Sequence, residues 1–318
     1  MKLEKFYKKV VEIGIKNDPR PKEFIEKLLE EKKKEYEKLE DKKKEFFDKD
    51  NFWNPFSDTR VFFEDLDIEI KTLMVGIDIE AQEVLAFDRL KKEHSLDLLV
   101  AHHPEGKALA NFYEVMDLQV DILKTAGFSL SLAEDLLSER KKQVERKILP
   151  LNFLRTIDLA KIFKVPLMCI HTPADNCVYQ FLKRYFEEKK PQRLKDIIEL
   201  LLELPEYREA EKNNFGPRIL KGNPNNRVEK IFLEMTGGTE PHTQIYQELV
   251  KKGYDTIVSM HLSEEHFKKA SDSKLNIIIS GHISSDTLGL NLLFDEIEKE
   301  EPLEFVEVSG FRRFRHTK

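Results

Sequence analysis

The feature that most narrows what this chain can fold into is an alternation, occurring twice, of short β-branched runs and amphipathic helical stretches. In the first block TLMVGIDIE (72–80) reads as a strand, AQEVLAFDRLKKEH (81–94) as a helix, and LDLLVAHH (96–103) and PLMCIH (166–171) as further strands. In the second, VEKIFLEMTGG (228–238), a helix from His242 to Lys252, DTIVSMH (255–261), a helix near Glu264 to Ala270, LNIIISGH (275–282) and a helix from Thr287 to Glu298 follow in order. Strands separated by helices pair in parallel, because each crossover returns the chain to the same end of the sheet. The expected fold class is α/β, with two duplicated α/β lobes and a helical extension at the N-terminus.

The boundaries follow from changes in this rhythm. Residues 1–58 read as a helical arm: Leu3, Phe6, Val10 and Val11 share a helical face, DPRP (18–21) breaks it, and KLLEEKKKEYEKLEDKKKEFFDK is a solvated helical stretch rich in i,i+4 ion pairs. Residues 59–215 are assigned to the first lobe, with a helical insertion near 108–150, and residues 228–318 to the second. GPRILKGNPNNR (216–227), rich in Gly, Pro and Asn, is the expected linker.

Composition excludes several classes of function. With 318 residues, 40% of them hydrophobic, the chain can build real cores without staples. Charged residues make up 35%, yet the net charge is only −6, so no one-signed field marks a nucleic-acid partner. No apolar run reaches the roughly 20 residues that span a bilayer, and the N-terminus alternates Lys with apolar residues, so a cytoplasmic, soluble protein with no membrane partner is expected. The two cysteines, Cys169 and Cys177, suit a reducing compartment and form no CxxC pair, which argues against a thiolate zinc site.

The histidines fall where chemistry is expected. His102 and His103 end one strand, and His171, His261 and His282 each end another; ligands of open α/β sheets gather at the carboxyl ends of the strands. LVAHHPEG places two imidazoles side by side, IHTPAD sets Asp175 four residues after His171, and SGHISSD sets Asp286 four residues after His282. One strand-end histidine is ordinarily a hydrogen-bonding loop residue, and one HxxxD pair arises by chance; a His-His pair together with two HxxxD pairs, each after a strand, points to a shared metal site. Mixed imidazole and carboxylate donors suit zinc, iron or manganese, whereas calcium prefers oxygen alone. Adjacent side chains at a strand end diverge, so the His pair fits two neighbouring ions better than one.

AHHPEG, IHTPAD and GHISSD, in this order and each after a strand, resemble the metal motifs of the Ngg-one-interacting factor three (Nif-three) family, whose bacterial members are often called GTP cyclohydrolase I type 2 homologues. The resemblance spans roughly residues 60 to 310, with MTGGTE (235–240) and SMHLSEEHFKKA (259–270) similar to segments of the family's second lobe. It implies a two-lobed fold with a dinuclear centre between the lobes, ligated by His102, His103, Asp175, His282 and Asp286 with His171 beside them, and a homo-oligomer, often a hexameric ring. The sequence departs from the family pattern at Asp286, where Glu is usual.

The leading expectation is a metal-dependent hydrolase using two divalent ions per chain on a nucleotide-like substrate, a cyclic amide or a phosphoester, with His171, His261 and Glu264 as proton-transfer residues. The alternative is a non-catalytic metal-binding regulatory or interaction protein.

Overall fold

The computed structural model describes residues 1–316. It contains two mixed sheets that repeat one topology. In the first, β1 (Arg60–Val61), β4 (Leu167–Cys169), β3 (Leu98–Ala101), β2 (Thr72–Gly76) and β9 (Glu304–Glu307) lie in that order. β1 is antiparallel to β4 and the remainder are parallel. In the second the order is β5 (Arg218–Lys221), β8 (Asn276–Ile279), β7 (Thr256–Ser259) and β6 (Ile231–Glu234), with only β5 antiparallel. The two sheets thus share three parallel strands closed on one side by a short antiparallel edge, and the first adds β9 as a fourth parallel strand on the other side.

The period-2 alternation of side chains places the central strands between two apolar layers, and burying each of these side chains contributes about 1.5–3 kcal/mol. In the first sheet Leu73, Val75, Leu98 and Val100 face the helix Leu3–Lys16 and the C-terminal half of the helix His282–Glu298. Met74, Leu99 and Ala101 face Val84 and Phe87 of the helix Ala81–Leu90 and Ile157 of the helix Arg155–Phe163. In the second sheet Leu233, Val258 and Ile278 pack on Val178 and Leu182 of the helix Thr172–Lys189, and Phe232, Ile257 and Ile277 pack on the opposite face.

Four segments depart from the division expected from sequence. The first part of the N-terminal segment is core and not an arm: Leu3, Phe6, Tyr7, Val10 and Val11 follow helical spacing and are buried in the first lobe. The helix Lys22–Lys38, which buries Ile25 alone, and the short helix Asp41–Lys44, which buries no residue, are largely solvated. The insertion leaves the first lobe in space, since Leu118, Ile122, Leu123 and Leu136 cover the second sheet beside Phe232 and Ile257. Within the expected linker, Arg218–Lys221 forms β5. Finally, β9 crosses back to pair with β2, so the end of the second segment completes the first sheet.

The two lobes meet where the helices after β4 and β8 cross. At the crossing Gly289 lies against the backbone of Ala174; a Cβ on Gly289 would come within 2.5 Å of the Ala174 carbonyl oxygen. This close approach brings the N-terminal parts of the two helices, and the carboxylates they carry, to the seam between the sheets. No helix among the described residues is long and apolar enough to cross a membrane.

Candidate metal centre

Equivalent ends of the two sheets supply the site. His102 directly follows β3, and the hydrogen bonds from its amide to the Gly76 carbonyl and from the His103 amide to the Ile77 carbonyl extend the parallel ladder past the strand ends. Asp175 lies in the first turn of the helix Thr172–Lys189, and Asp286 lies just past the first turn of the helix His282–Glu298. Gly281, at φ +113°, lets the chain turn sharply from β8 into the second of these helices.

Asp286 is the hub. Its Oδ1 lies 3.5 Å from Nε2 of His102, and its Oδ2 lies 3.5 Å from Nε2 of both His103 and His282. Nε2 of His102 is also 3.4 Å from Oδ1 of Asp175. Two donor triads therefore share one carboxylate: His102, Asp175 and Asp286 on one side, His103, His282 and Asp286 on the other. His102, His103 and His171 form a third possible grouping. Although the resemblance implies Glu at this position, the shorter Asp286 reaches all three imidazoles.

Three of the imidazoles, those of His102, His103 and His171, are oriented from behind. Nδ1 of His102 faces the Ile170 carbonyl at 3.0 Å, and Nδ1 of His103 faces Oδ1 of Asp78 at 2.6 Å. A donor proton on each Nδ1 leaves the Nε2 lone pair directed into the cluster, which is how second-sphere groups prepare metal-binding histidines. His171 is held by Asp58, whose Oδ2 lies 2.9 Å from His171 Nδ1 and accepts 2.6 Å from the Thr172 hydroxyl.

The charges point the same way. Burial opposes a charge on His102, yet Asp286 and Asp175 outweigh it and push the ring's pKa up to about 10. His103 behaves similarly, burial being overcome by Asp286 and Asp78 to give about 9. Asp286 is held well below the usual carboxylate range because the surrounding imidazoles overcome its burial. His282 goes the other way, down to about 4, since burial and the neighbouring imidazoles prevail over Asp286. Around His102 and His103 the carboxylates thus prevail and favour positive charge. His102 Nε2, Asp175 Oδ1 and Asp286 Oδ2 are buried without hydrogen-bond partners, an expensive arrangement unless a cation fills it.

The residues singled out from sequence are distributed unequally. His102, His103, His171, Asp175, His282 and Asp286 converge. His261 sits at the exposed rim, its ring centre 4.6 Å from that of His282. Glu264 is not brought in: it starts the helix Glu264–Asp272, where its exposed side chain pairs with Lys268 at 3.2 Å. Asp58 and Asp78 escaped the sequence reading. Asp78 carried a usable signal, since it follows β2 as His103 follows β3; Asp58 follows no strand and has no local motif.

A two-lobed α/β fold with a buried His/Asp cluster between its lobes defines a protein of NIF3-like fold. The chain matches a NIF3 superfamily protein from Sphaerobacter thermophilus at 25% identity and a TM-score of 0.68, over 80% of this chain and 91% of the other. TTHA1606 from Thermus thermophilus aligns over 80% of this chain and 90% of its own at 16% identity and a TM-score of 0.46. Reduced HcgD from Methanocaldococcus jannaschii aligns over 77% and 86% at 16% identity and 0.44. No family model and no curated protein matches the chain.

Proposed function

We propose that this protein holds two divalent metal ions in the His/Asp cluster and uses them to hydrolyse a small amide or phosphoester substrate, such as a nucleotide-like or cyclic amide compound. The reading is carried by Asp286, whose two oxygens each face a separate imidazole set while buried donors beside them lack partners. His102, Asp175 and Asp286 would hold one ion, and His103, His282 and Asp286 the other. Zinc, iron and manganese suit this donor set. Ions bound there supply positive charge that polarises the scissile group and makes nearby water more acidic.

The chain's own residues have complementary tasks. Asp58 and Asp78 fix the tautomers of His171 and His103, so that neither ring reorients when charge develops. His261, at the rim, is placed to exchange a proton with solvent at its ring nitrogens. Turnover by metal-loaded protein on phosphoester, nucleotide and cyclic amide panels, absent from Asp286→Ala, tests the proposal; full metal occupancy without turnover on any panel would defeat it.

A second reading, a metal-holding protein without catalysis, draws support from the cavity beside the cluster. Between Asp175, Thr236, Glu240 and His261 it measures only about 40 Å³, room for water but not for an enclosed substrate. Assembly as a homo-oligomer, ring-shaped as the resemblance implies, is part of the proposal under either reading. The exposed apolar side chains of Leu149, Leu151, Leu154 and Ile162 support it, and light scattering would measure it.

A further inference from the structure

The two sheets are copies of one plan with one difference. Asp97 accepts from the amides of Lys71 and Thr72 at 2.8 and 2.9 Å, and Asp255 accepts from those of Glu229 and Lys230 at 2.9 and 2.7 Å. These matching clamps at the start of β2 and β6 make Thr72 and Lys230 equivalent positions. In the first sheet β2 has a second parallel neighbour, β9, with Glu304 opposite Thr72. In the second sheet β6 pairs only with β7 among the described residues and is the edge.

Beside that edge, where the first sheet has β9, runs a groove of about 610 Å³. Phe232 and Leu233 of β6 form its floor, Ile122 and Ala126 one wall, Tyr179 and Phe186 the other. Both walls are apolar, so successive side chains of an entering strand, which point to opposite faces, both meet apolar surface. The rim carries Lys183, Lys190 and Lys230 against Glu187 and Glu229. Lys183 and Lys190 make no ion pair among the described residues.

We propose that this groove docks an extended segment of another protein, which adds to β6 as a parallel fifth strand bearing two central apolar residues flanked by acidic ones. β-Strand addition of this kind draws affinity from main-chain hydrogen bonds and selectivity from side-chain pockets. β9 itself, Glu-Phe-Val-Glu, has this pattern and occupies the equivalent position on β2. A second copy of the folded chain does not fit. Its β9, the strand with this pattern, is engaged in its own first sheet. The inference is independent of the metal centre, and binding is expected with or without metal.

The test uses the full chain and a fluorescent peptide of sequence PLEFVEVS, with a control in which both Glu are Lys. Anisotropy should show binding of the acidic peptide, weakened by about tenfold or more in the control and in the Lys183→Glu/Lys190→Glu double variant. Hydrogen exchange at the amides of residues 231–234 should slow when the peptide is bound. Absence of binding, binding indifferent to the charge reversals, or binding that leaves these amides unprotected would overturn the proposal. Protection that grows with protein concentration alone would overturn it in favour of a second copy.

Discussion

Oδ1 of Asp286 lies 3.5 Å from Nε2 of His102, while its other oxygen serves His103 and His282 on the far side of the same carboxyl group. One residue thus joins two half-sites that otherwise share no donor. Asp286→Ala should therefore lose both ions, whereas His282→Ala, which removes a donor from one half-site, should retain about one of two equivalents. Elemental analysis after reconstitution distinguishes the cases; equal loss in both variants would mean that the half-sites do not exist separately.

Asp78 offers a test of orientation without disturbing the core, because its side chain is 64% exposed. Its bond to His103 Nδ1 sets which nitrogen faces the cluster. Asp78→Ala should weaken metal affinity by about 10- to 100-fold. Stability of the metal-free protein should change by no more than about 0.5 kcal/mol. Competition with a chelator measures the first and urea denaturation the second. A large stability loss with unchanged affinity would make Asp78 a structural residue.

What was legible in the sequence follows from range. His102-His103, His171-Asp175 and His282-Asp286 were readable because each cluster is local and directly follows an apolar strand. Asp58 was not, since its partner His171 is 113 residues away and no periodicity connects them. The strands between apolar layers announced themselves, but β9 has only four residues and nothing in Glu-Phe-Val-Glu says that it returns to β2. The helices near 118–136 show an apolar stripe that must bury something; that it covers the second sheet is a fact of tertiary packing alone.

Gly289 links packing to the site. A methyl group there would meet the Ala174 carbonyl carbon at 2.9 Å as well as its oxygen, and backbone cannot yield as a side-chain tip can. Gly289→Ala should cost about 1–3 kcal/mol in urea denaturation, as overpacking commonly does. Because the two helices carry Asp175 and Asp286, the same variant should also bind metal more weakly. Wild-type stability together with wild-type affinity would show that the crossing is not under constraint.

Acid should loosen the fold through Arg60. This side chain is only 1% exposed, and its Nε donates to Oδ2 of Asp48 at 2.8 Å while Lys107 approaches the other oxygen at 3.2 Å. Burial would raise the pKa of Asp48, but the two cations prevail and lower it. A carboxyl group whose folded value lies below its unfolded one binds its proton more tightly when unfolded, so its contribution is complete above the unfolded value, about 3.9. That contribution is lost as the pH falls through the lower, folded value. Asp48→Asn should thus be less stable than wild type at neutral pH by roughly 1.5–3 kcal/mol, the worth of a charged hydrogen bond. The gap should narrow below about pH 4, as wild type protonates the group that the variant lacks. Urea denaturation from about pH 7 down to pH 3 measures both, and a gap that stays constant with pH would show that the Asp48 charge does not couple to folding.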